Sequence, residues 1–167
     1  MSFWPSLQIA LEHVFESATG IPFVWDDEPA KVMPKPYGVL ALGQSITIGR
    51  DFSRYSFRDS CSSLETLGHR ELTINVQVFS RQPRGDGSAR SLIEMARLSL
   101  ANPVYRDELR SAGLVFVENH PVVNLDFTFQ NRKENRCAFD VVFRLVLQES
   151  TKAPIPHFES VALESCL

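Results

Sequence analysis

Three residues in the C-terminal third have the types that a nucleophilic site needs: Cys137 as thiolate, His120 to take its proton and Asp126 to orient the imidazole. Their positions fall on or beside neighbouring strands. No local nucleophile motif surrounds Cys137, however, and a cysteine that opens an apolar strand serves as a small hydrophobe. Asp26, Asp27 and Glu28 offer carboxylate oxygens to a hard cation, but three carboxylates in a proline-bounded turn read as solvated surface. His13, His69, His120 and His157 stand far apart, without the HxH or HExxH spacing that sets two metal ligands on one face. His13 lies beside an apolar stripe and is expected to be a partly buried packing residue. The run Gly43-Gln-Ser-Ile-Thr-Ile-Gly49 lacks the Lys-Ser/Thr that closes a phosphate loop, and Gly85-Asp-Gly87 fits a turn before a helix. No spacing brings two carboxylates onto one element in an apolar setting for acid/base work. The residues therefore predict no catalytic group, no metal site and no cofactor.

The elements that would position any such group come from patterning. The chain has 167 residues, which suggests one domain spanning 1–167, and it is long enough to bury a core without disulfides or metal. Seventeen Lys and Arg against 20 Asp and Glu give a net charge of −3, the wrong sign for a domain that holds nucleic acid by neutralising many phosphates. The first residues lack the basic and apolar regions of a signal peptide, and no apolar run approaches a membrane span, so a cytoplasm-like compartment and no membrane contact are expected. Cys61, Cys137 and Cys166 have no CxxC spacing and are expected as free thiols.

Trp4, Leu7, Leu11, Val14, Phe15 and Ala18 recur at helical steps, with Thr19-Gly20 as the stop. A short strand at 21–25 and a proline-rich connection at 26–36 follow. Leu40, Leu42, Ile46 and Ile48 alternate as one face of a strand, and Leu72, Ile74, Val76 and Val78 as another. A second helix carries Ala89, Leu92, Ile93, Ala96 and Leu100 behind a cap at Asp86 or Ser88, and Asn102-Pro103 opens a third that ends at Gly113. Beyond a strand at 114–117, Val123, Leu125, Phe127 and Phe129 alternate, as do Phe139, Val141, Phe143, Leu145 and Leu147, the two joined through 130–135. The tail, 151–167, has a possible edge strand at 158–163. Helices between runs of hairpin-connected strands predict an α+β fold, an antiparallel or mixed sheet with helices on one face.

Residues 49–64 predict a long hairpin arm that projects beyond the core, with a serine-rich turn at 60–63. Arg50, Phe52, Arg54, Tyr55, Phe57 and Arg58 interleave cations with aromatics, a composition that suits single-stranded nucleic acid or a protein interface. Asp51 and Asp59 offset two of the three arginines, which weakens the field and favours the interface.

From Glu71 onward the chain resembles the neck and tail-terminator (tail-completion) proteins of tailed bacteriophages. The resemblance rests on Glu71-Leu-Thr-Ile-Asn-Val-Gln-Val-Phe79, Ala89-Arg-Ser-Leu-Ile93, Leu109-Arg-Ser-Ala-Gly-Leu114, Val122-Val-Asn-Leu125 and Arg136-Cys-Ala-Phe-Asp-Val-Val-Phe143, followed by Glu149 and Phe158-Glu-Ser-Val161. These segments span more than half of the chain in the family's order. Phe158-Glu159 stands where an Ile-Glu pair is usual, and the arm from Gly49 to Leu64 is not matched to the family's pattern. The resemblance implies a structural virion protein without catalytic residues, forming a homohexameric ring that caps the tail tube, stops its polymerisation and joins tail to neck. It further implies a tail tube protein and a neck connector as partners, double-stranded DNA passing through the lumen, and assembly in the host bacterial cytoplasm. A small soluble enzyme or ligand-binding domain is the alternative.

Overall fold

Leu7, Leu11, Val14 and Phe15 are fully buried along one face of helix α1, Phe3–Thr19, as their spacing requires. The computed structural model of the chain describes residues 3–27, 33–58, 61–129 and 132–152, with the backbone alone at 3, 55–58, 61–63, 129, 132, 133, 151 and 152. Gly20, at φ +71°, ends α1, and its N–H reaches the Glu16 carbonyl at 2.8 Å. Two residues depart from expectation on this helix. Trp4 is 42% exposed because the core stops short of the helix start. His13 is an exposed residue rather than a packing one, and its Nδ1 lies 2.5 Å from Glu108.

Strand β1, Phe23–Trp25, runs parallel to β2, Tyr37–Thr47, which makes the sheet mixed. Gly38 of β2 lies under the Phe23 ring, where a Cβ would sit 2.2 Å from it. The centre of the sheet is two long antiparallel strands, β4 (Cys61–Ser80) and β8 (Arg132–Lys152), paired from Ser63↔Lys152 to Ser80↔Asn135. Patterning revealed only their middles. Leu72 to Val78 on β4 and Phe139 to Leu145 on β8 alternate because helices cover that stretch, whereas the distal halves are held by backbone pairing without a core.

Helices α2 (Ala89–Ser99) and α3 (Pro103–Ser111) complete the layer, burying Ala89, Leu92, Ile93, Ala96 and Leu109. The Ser88 hydroxyl accepts from Ser91 N at 3.2 Å and Asn102 Oδ1 accepts from Val104 N at 3.0 Å, so each helix starts on a side-chain cap. Strand order is β1-β2-β4-β8-β5, with β5 at Val115–Asn119. Strand β3 (Phe52–Arg58) pairs with the distal part of β4, and β6 (Val123–Asn124) and β7 (Phe127–Phe129) pair with β8.

Four sequence expectations are corrected. The pairing of β2 with β4 jumps from Leu42↔Ile74 to Ser45↔Leu72, so a bulge at Gly43–Gln44 puts Ile46 on the face opposite Leu42. Of the four alternating residues only Leu40 reaches the core. The expected strand through Val123 and Phe127 is broken at Leu125–Asp126, and Val123, Leu125 and Phe127 are exposed. There Asp126 Oδ1 accepts from Arg136 N at 2.9 Å, taking a donor from the ladder. Residues 61–63 are strand rather than turn, and β7 pairs to β8 through Phe129↔Arg132, so the connection is shorter than 130–135. The expected strand at 158–163 lies outside the described residues.

Candidate assembly interface

The arm is built from β3 laid antiparallel on β4, in register from Phe52↔Leu67 to Arg58↔Cys61. Two contacts fix its base. Arg70 donates from Nη1 and Nη2 to the Asp51 carboxylate at 2.6 and 2.8 Å, a bidentate pair. Arg54 Nε donates to Glu65 Oε2 at 2.7 Å directly across the ladder. Asp51 thus neutralises Arg70 of the neighbouring strand rather than an arginine of its own arm. The Arg70 guanidinium holds the Asp51 carboxyl below the usual carboxylate range. Arg50 is exposed, and Phe52 is 59% exposed. Tyr55, Phe57 and Arg58 belong to β3 by backbone, and their side chains lie outside the described residues.

The sheet face away from the helices carries a polar ladder across β4 and β8. Arg144 donates to Glu71 at 3.2 Å, Asn75 to Asp140 at 2.6 Å, Gln77 to Asn75 at 2.5 Å and Arg136 to Gln77 at 2.6 Å. At its end Tyr37 stacks on Phe79 at 5.0 Å, with the Arg136 guanidinium 5.1 Å from the Phe79 ring centre. Lys35 pairs with Glu134 beside this cluster, and burial, then Arg81, pulls its pKa down. Charge on this face is therefore largely matched within the chain.

Exposed apolar side chains lie on the helices, at Ile9, Met95, Leu98 and Val104, and on the two margins of the sheet. Val115, Val123, Leu125 and Phe127 line the β5–β6–β7 margin. Trp4, Leu42 and Ile46 lie on the β1–β2 side. Patterning missed the first row because it assigned these residues to a buried face; the signal available was Asn124-Leu125-Asp126, whose Asn124 Oδ1 accepts from Asp126 N at 3.0 Å and turns the chain.

The residues weighed for chemistry are dispersed. Cys137 is 3% exposed within the core, and burial, followed by the charge of Asp126, raises its thiol pKa, away from the thiolate a nucleophile needs. The His120 imidazole is exposed and 3.8 Å from Glu118. Asp26 and Asp27 are exposed, and Glu28 lies outside the described residues. Among the described residues no three His, Cys, Asp or Glu side chains group as metal ligands. No described helix is long and apolar enough to cross a membrane.

A family model described as phage neck terminator protein matches residues 9–165. Comparison with curated proteins finds no match.

Proposed function

This chain belongs to the phage neck terminator protein family, and from that premise we propose that it forms a six-membered ring that caps the tail tube, ends its polymerisation and joins tail to neck. Membership already makes it a structural protein of the phage tail and neck. The observation that carries the finer reading is the pair of unlike apolar margins. Exposed apolar side chains at a sheet edge mark an association surface, and each margin also offers strand edge. Unlike patches on opposite sides of one subunit favour head-to-tail contacts, which close into a ring when the rotation per subunit permits. The arm residues Arg50, Phe52, Arg54, Tyr55, Phe57 and Arg58 supply further contact to a neighbouring subunit, the tube protein or a neck connector. The internally matched charge of the open sheet face and the net charge of −3 suit a lumen through which double-stranded DNA slides without being gripped. No side chain performs chemistry in this role, and the protein resides in the virion after assembly in the host cytoplasm.

Negative-stain microscopy of the purified chain, alone and with tail tubes, tests the reading. Rings, or ring-shaped caps on tubes of uniform length, are the expected outcome. A monomer that neither caps tubes nor limits their length would overturn it, and turnover of a small molecule in a deep pocket would favour an enzyme instead.

A further inference from the structure

Trp4, Gln8, Trp25, Asp26, Asp27 and Leu42 line a pocket of about 370 Å³ where the start of α1 meets the end of β1. Three of its features ask for complementary chemistry. Trp25 is only 4% exposed, and its buried indole Nε1–H has no acceptor among the described residues, an arrangement that costs free energy. Asp26 and Asp27 stand exposed beside the two indoles, and neither is in an ion pair among the described residues. Next to the pocket, β1 covers the outer edge of β2 only from Gly38 to Leu40, and Asp26 N bonds to the Leu40 carbonyl at 3.0 Å. From there to Thr47 that edge of β2 pairs with no strand among the described residues.

An acceptor for the indole, a cation for the carboxylates and the indole faces, and backbone for the strand edge are together supplied by one kind of ligand, an extended basic peptide. We propose that the pocket receives the arm of a second copy of this chain, a carbonyl of residues 50–54 accepting from Trp25 Nε1 while Arg50, the arm cation left without an ion pair among the described residues, lies between Asp26 and Asp27. Charge complementarity selects this occupant. Arg50 is exposed and in no ion pair among the described residues, and the arm starts two residues after the open edge of β2 ends. Reach comes from the arm itself: Phe52 to Arg54 stand opposite Leu67 to Glu65, five to seven residues beyond Leu72, the core residue of β4 nearest the tip, which is about 16–23 Å. The assignment rests on the ring reading, since the occupant is a neighbouring subunit.

The chain's two tryptophans both line this pocket, so intrinsic fluorescence reports on it specifically. A synthetic peptide of residues 49–58 is titrated into the full chain, below the concentration at which the chain self-associates. The expected result is a saturable fluorescence change. The dissociation constant should rise about tenfold or more in Asp26→Asn/Asp27→Asn, and likewise for a peptide carrying Arg50→Ala and Arg54→Ala. Trp25→Phe keeps the ring but removes the donor; melting of this variant confirms folding, and binding of a dansylated peptide should weaken. No saturable change, unaltered affinity in the aspartate variant, or saturation by a basic tube-protein peptide but not by the arm peptide would overturn the assignment. Microscopy separates the two readings. Unaltered rings from the aspartate variant defeat the docking while the ring stands, and tight peptide binding by a chain that never forms rings defeats the ring.

Discussion

The Asp51 carboxylate and the Arg70 guanidinium meet in two hydrogen bonds laid over Gly68, where a Cβ would come within 2.6 Å of both Arg70 Nη1 and Asp51 Oδ1. Gly68 thus makes room for the clamp by close approach rather than by backbone dihedral, since a Cβ there would press on the ends of both side chains. Gly68→Val should displace both groups and release the start of β3 from β4. Hydrogen exchange of the Phe52 to Arg54 amides is expected to accelerate strongly, while amides of Leu72 to Val78 stay protected. Equal protection of the arm in variant and parent would show that the clamp does not hold it.

The same pair sets a pH dependence. Asp51 titrates below the ordinary aspartate value of about 3.9, chiefly because Arg70 donates to its charged form. Its contribution to arm order is thus complete above that value and is lost as pH falls through the lowered one. Arm amides should exchange normally at neutral pH and lose protection selectively below pH of about 3.9. Asp51→Asn should show weak protection already at neutral pH and little further change on acidification.

Cys137 offers a test of chemistry against packing. Buried at 3% exposure with its pKa raised, the thiol should resist a soluble disulfide reagent in the native state and react on unfolding. A Cys61→Ser/Cys166→Ser background isolates the signal. Cys137→Ser should destabilise by about 1–3 kcal/mol, because a hydroxyl in this apolar site has to be desolvated. Fast labelling of the folded protein would place the thiol in a reactive setting instead.

The helical layer was legible in the sequence because its periodic residues are the buried ones: Leu7, Leu11, Val14 and Phe15 on α1, and Leu92, Ile93 and Ala96 on α2. The middles of β4 and β8 were legible for the same reason. What alternation could not reveal was the bulge at Gly43–Gln44, since one extra residue reverses every later side chain without altering the pattern itself. Nor could it show that Val123, Leu125 and Phe127 fall on two short strands and the break between them, a margin that nothing among the described residues covers. The arm's composition was visible, yet its charge pairing was not, because Arg70 and Glu65 come from the partner strand. The Trp25 pocket was invisible for a related reason. Trp4, Trp25 and Leu42 are separated in sequence and meet only once β1 lies parallel to β2.

Phe143 and Phe52 separate the two uses of an aromatic side chain here. Phe143 is fully buried, with its ring 6.3 Å from that of Phe116 in an edge-on contact beneath the helices. Phe52 is 59% exposed on the arm. Truncating Phe143 leaves a cavity in close-packed surroundings, so Phe143→Ala should cost about 3–5 kcal/mol of unfolding free energy. Phe52→Ala removes an exposed ring and should stay within about 0.5 kcal/mol of the parent in denaturant unfolding. If the arm is an assembly contact, the ranking inverts in the functional assay. Phe52→Ala combined with Arg50→Ala should give a normally folded chain that leaves tails overlong or unjoined, whereas Phe143→Ala should lose function only in proportion to the fraction unfolded. Tails of normal length and full joining with the arm pair removed would move the contact from the arm to the apolar margins of the sheet, where Val115→Asp and Val123→Asp would be the next substitutions to score.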